Sequence, residues 1–157
     1  MTNALPTDIP WALMLAEKEC RDLVLAAARA VDSQDYAGLV ALFTDDATLV
    51  RPGGEPLRGR AAILASYNSK SPDRLTCHVV SNHSVHLQGP ALALSQCTVQ
   101  LYATDKRTEY TSRGRAAEPV VLIGQIADRI VRTPQGWRIH ERRAWFDMHH
   151  TPASGPV

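Results

Sequence analysis

The sequence predicts an α+β domain in which N-terminal helices pack against one face of a strongly curved antiparallel β-sheet. Three observations carry this. Through Ser69, apolar residues mostly recur in steps of three and four, the period of a helix. From Thr76 onward the pattern becomes extended, and the turn signals "QGP" and "TPQG" each divide two long runs that pair as a hairpin. Helices first and strands after is the order of an α+β domain rather than of alternating βα units.

Each element follows from its residues. After a tail over Met1–Pro10, Leu13, Ala16, Cys20, Leu23, Val24, Ala27 and Val31 describe one face of an amphipathic helix. A shorter helix runs from about Asp35 to Leu42, with Tyr36, Leu39, Val40 and Phe43 apolar, and "TDD" ends it. "ATLVRP" reads as a short strand closed by "PGGEP". "RGRAAILASYNS" is a third helix with Ile63, Leu64 and Tyr67 on one side. Thr76–Gln88 and Ala91–Ala103 form the first hairpin, and Val120–Arg132 and Trp137–Asp147 the second. "TPQG" suits a type I turn. The polar stretch "TDKRTEYTSRGRAAEP" between the hairpins is a solvated connector. One domain over residues 11–148 is expected, with tails at 1–10 and 149–157.

The strand "VVLIGQIADRIV" is apolar on both faces, with Val121, Ile123 and Ala127 on one and Val120, Leu122, Ile126 and Ile130 on the other. A helix layer covers only one. The other calls for a homo-oligomer, trimer or dimer, built across the outer face of the sheet.

Composition excludes several classes. At 45% hydrophobic and 21% charged, the 157 residues are those of an ordinary globular domain. A formal charge of +1 gives no reason to expect nucleic acid or an anionic membrane as partner. "WALMLA" is too short for a span and lacks the basic lead of a signal peptide, so a cytoplasmic location is expected. Cys20, Cys77 and Cys97 lack metal-ligand spacing.

Chemistry narrows to few residues. His78, His83 and His86 lie in one strand, where alternation puts His78 and His86 on one face and His83 on the other, so no ligand triad converges. His149 and His150 fall beside the C-terminal tail. No serine sits in a Gly-x-Ser-x-Gly elbow, and no glycine-rich loop with a phosphate-binding lysine opens a helix. What remains is Asp32, leaving the first helix, and His78, early in the first long strand. A neutral imidazole abstracts a proton near neutral pH, and a carboxylate on its other nitrogen fixes the tautomer and stabilises the imidazolium. On pattern alone the favoured reading of Asp32 is a solvated helix-end carboxylate, and that of His78 a half-buried structural histidine.

Four stretches add to this: "VDSQDYAGLVALFTDDATLV", "LRGRAAILASY", "CHVVSNHSVHLQGPALALSQ" and "GQIADRIVRTPQGWRIHERR". In this order and spacing, from about Ala16 to Ala144, the chain resembles the SnoaL-like branch of the nuclear-transport-factor-2-like superfamily, a cone-shaped α+β fold. The resemblance is to its dehydratase and dehydrochlorinase members, which remove a proton from carbon and expel a leaving group without a cofactor or metal. It implies Asp32 and His78 as the catalytic pair, with Asn82 in "HVVSN" as a substrate contact. It implies a pocket arginine at Arg142, or at Arg143 after a one-residue shift, to stabilise developing negative charge. Gln125 stands where a pocket tyrosine is frequent, which departs from scytalone-dehydratase chemistry, and Tyr36 is a further candidate contact. The implied activity is that of a lyase or isomerase acting on a small hydrophobic substrate. The same fold also serves as the non-catalytic small subunit of aromatic-ring-hydroxylating dioxygenases and as a ligand-binding module.

Overall fold

A computed structural model describes residues 11–152; both expected tails lie largely outside them. Two helices and two strands precede the third helix, and the remaining strands follow: α1 (Trp11–Asp32), α2 (Tyr36–Ala41), β1 (Phe43–Val50), β2 (Leu57–Arg58), α3 (Gly59–Asn68), β3 (Arg74–Leu87), β4 (Leu92–Asp105), β5 (Tyr110–Thr111), β6 (Gly114–Arg115), β7 (Val121–Thr133) and β8 (Gly136–His150). The strand order is β2-β1-β8-β7-β4-β3, with β5 and β6 pairing apart from it. Both predicted hairpins form. The pairing of β1 with β8 is parallel, so the sheet is mixed at one edge. β1 also starts at Phe43, so "TDD" lies inside the strand, in the irregular stretch between Phe43 and Thr48, rather than merely ending α2. The connector holds the small β5–β6 hairpin. β8 runs through His150, two residues past the expected end of the domain, with His149 opposite Leu122 and His150 opposite Val121.

Helix α1 buries the stripe Ala16, Cys20, Leu23, Val24 and Ala27 against the sheet. Leu13, expected on that stripe, is 45% exposed beside Trp11, Met14 and Leu15, because the first turns of α1 project beyond the sheet. The core proper gathers Phe43, Leu39, Leu49, Ile63, Ile130 and Ile139, all almost fully buried. Burying each such side chain contributes about 1.5–3 kcal/mol. Asp35 caps α2 by accepting the Gly38 backbone N–H at 2.8 Å. At the β7–β8 turn, Gly136 has φ 102°, the positive value a type I turn with a following bulge requires. No described helix is long and apolar enough to cross a membrane.

Bulges decide which side chains face the helices. In β3 the register slips between Ser81 and Ser84, and Asn82 adopts φ 48° there, a left-handed value that asparagine tolerates better than most residues. Before the bulge His78 and Val80 face the helices, and after it His83 and Val85 do. The expectation that His78 shares a face with His86 is therefore corrected: His83 turns inward, and His86 is exposed on the outside. In β8 an extra residue at His140, and another at Asp147, shift the pairing with β7.

Gly124 sits beside the second of these slips. A Cβ built there would lie 1.9 Å from the Trp145 carbonyl oxygen and 2.8 Å from the Phe146 Cα, both backbone atoms that cannot swing aside. Gly124→Ala is expected to cost at least about 1–3 kcal/mol through this overpacking. Chemical denaturation would read the loss, and unchanged stability would show that the β7–β8 register adjusts freely.

Candidate active site

Asp32 ends α1 directly above β3. The turn that follows is tied down by Gln34, whose Nε2 donates to the carbonyls of Pro72 at 3.2 Å and Arg74 at 2.9 Å. This brings the Asp32 carboxylate onto the inner face of β3, where it accepts three hydrogen bonds. The Thr76 hydroxyl donates to Oδ1 at 2.8 Å, the His78 backbone N–H donates to Oδ2 at 2.8 Å, and His78 Nδ1 lies 2.5 Å from Oδ1. Burial alone would raise the Asp32 pKa, but the bonds from the His78 ring and backbone, the His78 charge and the Thr76 hydroxyl outweigh it. The carboxyl is held below its ordinary value. Asp32 therefore faces His78 rather than solvent at the helix end.

With Nδ1 engaged, the His78 ring stands at the junction of two cavities. The larger, about 320 Å³, is lined by apolar residues including Val31, Leu49, Val99, Leu101 and Ile126, together with Arg51, Lys70 and Arg142. The smaller, about 270 Å³, is shared by His78, Thr76, Tyr36 and Lys70. Tyr36 packs on Tyr67 with ring centroids 5.3 Å apart. Gly124 also borders the larger cavity.

Arg142 also reaches this cavity, and Arg143 faces the opposite side of the sheet. Asp128 holds the Arg142 guanidinium in a fork, with Nε and Nη2 each 2.7 Å from a carboxylate oxygen. Both residues are buried. Burial opposes the charged guanidinium, but Asp128 prevails and holds the Arg142 pKa above its ordinary value. Behind the pair, His83 Nε2 lies 2.9 Å from the Ser95 hydroxyl, and Arg21 donates to the His83 carbonyl at 2.6 Å. Burial, then the Arg21 charge, lower the His83 pKa, which favours its neutral ring.

Two expected contacts do not join the site. Asn82 is exposed at the β3 bulge, and its place in the strand is explained by its left-handed backbone. Gln125 borders the larger cavity, but alternation turns its side chain to the outer face, opposite Thr98, whose hydroxyl donates to it at 3.5 Å. The sequence reading missed Thr76, Asp128, Lys70 and Arg51. Alternation would have found the first, two residues before His78 on the same face, and also Asp128, which shares the inner face with Ile126 and Ile130. Burial pushes the thiols of Cys20 and Cys97 up to about 11, so neither is a ready nucleophile. Among the described residues no three His, Cys, Asp or Glu side chains cluster to hold a metal ion.

Two predictions follow from these pairs. Asp128→Ala leaves the Arg142 charge buried and uncompensated, and is expected to cost about 3–5 kcal/mol in denaturant unfolding; a loss below about 1 kcal/mol would mean that water reaches the guanidinium. For Asp32 the folded pKa lies below the unfolded one, so its stabilisation is complete above about pH 4–5 and fades as pH falls through the folded value. The stability gap between the wild type and Asp32→Asn should thus be constant near neutrality and narrow in acid. A gap that widens in acid would reverse that sign.

Among curated proteins none matches the chain. Solved structures do. A protein of Novosphingobium aromaticivorans assigned as a scytalone dehydratase superposes with a TM-score of 0.74 at 18% identity, over 93% of this chain and 95% of that one. A hexachlorocyclohexane dehydrochlorinase of type 2 superposes with a TM-score of 0.76 at 14% identity, over 93% and 95%. A second N. aromaticivorans protein, assigned as an aromatic ring hydroxylase, gives 0.72 at 23% identity, over 88% and 94%. At these identities the likeness establishes the fold, helices on a large curved sheet. The sequence model of the SnoaL-like domain matches residues 12–143, from the first turn of α1 to the middle of β8, and the chain belongs to that family.

Proposed function

We propose that the chain is a cofactor-independent lyase or isomerase that abstracts a C–H proton from a small, largely hydrophobic substrate. The observation that carries this reading is the 2.5 Å contact between His78 Nδ1 and Asp32, made by an imidazole that borders two cavities. Asp32 holds the tautomer protonated at Nδ1, which leaves the Nε2 lone pair for a substrate proton. As the proton arrives, the imidazolium forms against a carboxylate already fixed by Thr76 and the His78 backbone. The electron pair left on carbon then expels a β-leaving group, either halide or a hydroxyl that takes the proton back from the His78 imidazolium and departs as water. Alternatively it delocalises and is reprotonated further along, with His78 returning the proton. Arg142 borders the same cavity and supplies a positive edge for negative charge developing there. Tyr36, beside the smaller cavity, is a candidate substrate contact.

A second reading, a non-catalytic small subunit of an aromatic-ring-hydroxylating dioxygenase, is favoured by the likeness to the protein assigned as a ring hydroxylase. It requires a larger iron-containing partner, which copurification would reveal. In either reading the outer sheet face is the proposed site of self-association, with Val79 43%, Leu94 45% and Met148 60% exposed.

The test is proton exchange and elimination on a panel of ring ketones and β-halo or β-hydroxy carbonyl compounds. His78→Ala and Asp32→Asn are each expected to slow turnover by about 10²–10⁴-fold, the range for general-base catalysis, with folding unchanged for His78→Ala. Turnover that survives in His78→Ala would end the proposal.

A further inference from the structure

The wall of the larger cavity carries three cations, Arg51, Lys70 and Arg142, and no Asp or Glu. The smaller cavity shares Lys70, adds Arg74, and again has no carboxylate. Two of these four charges are matched from behind: Arg142 by Asp128, and Arg74 by Glu118 at 2.6 Å. Arg51 and Lys70 make no ion pair among the described residues. Arg51 donates to the Ser66 hydroxyl, and both cations lie over one ring, that of Tyr67, at 5.3 Å and 4.4 Å from its centroid. Tyr67 is buried and backed by Tyr36, so the platform beneath the two charges is fixed. Desolvation first, then Arg51 and Arg74, lower the Lys70 pKa, as expected where like charges gather without a counterion. Asp32 does not balance them. It borders neither cavity, and its oxygens are taken up by Thr76 and His78.

We propose that the substrate carries a carboxylate, held by Lys70 and Arg51 at the mouth of the larger cavity, with its apolar body against Val31, Val99, Leu101 and Ile126 beside His78. A cavity of about 320 Å³ accommodates an acid of one or two rings. This deepens the reading of His78 as a base by naming the substrate class, and rests on that reading only for turnover. Binding itself depends on the two cations.

Titration calorimetry of the full chain at low ionic strength with 2-naphthoate and its neutral isostere 2-naphthamide tests the assignment. The carboxylate should bind about tenfold more tightly than the amide, and the preference should shrink as salt is added, because the mouth is open to solvent. Lys70→Met and Arg51→Met should each reduce that ratio severalfold and together remove it, whereas Lys70→Arg, which keeps the charge, should retain it. His78→Ala should leave the ratio intact, so a failure of proton abstraction and a failure of anion binding are read separately. Equal affinity for the two ligands, no binding of naphthoate, or a preference that persists in the double variant would overturn the proposal.

Discussion

The rest of the molecule's interior geometry depends on the carboxylate of Asp32. Three donors from one strand converge on the last residue of a 22-residue helix, so hydrogen bonds fix the end of α1 against β3 in addition to the packing of Ala30 and Val31. Along its buried stripe the helix meets the sheet through Leu23 and Val24 flanked by the smaller Ala16, Cys20 and Ala27. At its end a polar clamp holds helix and strand where apolar side chains would otherwise fill the gap. The cavities open beside that clamp. The same bonds orient the imidazole that borders them, so one interaction sets both the position of the helix and the direction of the ring.

The interior is polar in a disciplined way. Asp128 and Arg142 form a buried fork, His83 meets Ser95, and Asp32 meets Thr76 and His78. A buried ion pair recovers its desolvation cost only with good geometry, and the two parallel 2.7 Å bonds supply it. Asp128 pairs with Arg142, so the cations of the larger cavity that have no matching acid among the described residues are Arg51 and Lys70.

Much of this was legible in the sequence, for identifiable reasons. The helix stripe ending at Ala27, the two hairpins and the two-faced character of β7 all follow from periodicity, and periodicity survives into the fold because burial enforces it. The juxtaposition of Asp32 and His78 came from resemblance, since no local pattern relates residues 46 positions apart. The bulges were not legible. Slips at Asn82, His140 and Asp147 each insert a residue that strict alternation does not anticipate, and each changes what faces inward. His83 turns in because of the first, and Arg142 shares the inner face with Trp137 and Ile139 because of the second. Gln125 lies on an uninterrupted stretch of β7, where simple alternation already turns it outward. The parallel pairing of β1 with β8 was hidden for a different reason: it joins segments near opposite ends of the chain, and neither carries a mark of its partner.

The bulge at Asn82 divides β3 into two lengths of opposite phase. The first length presents Thr76 and His78 to the cavities, while the second presents His83 and Val85 to the closed interior. A residue gained or lost at that one point re-phases the second length without moving the first. The strand is thus a cavity-facing segment joined to a packing segment by an adjustable coupling. The packing segment therefore answers to the interior it fills, and the Asp32–His78 contact to the cavities it borders.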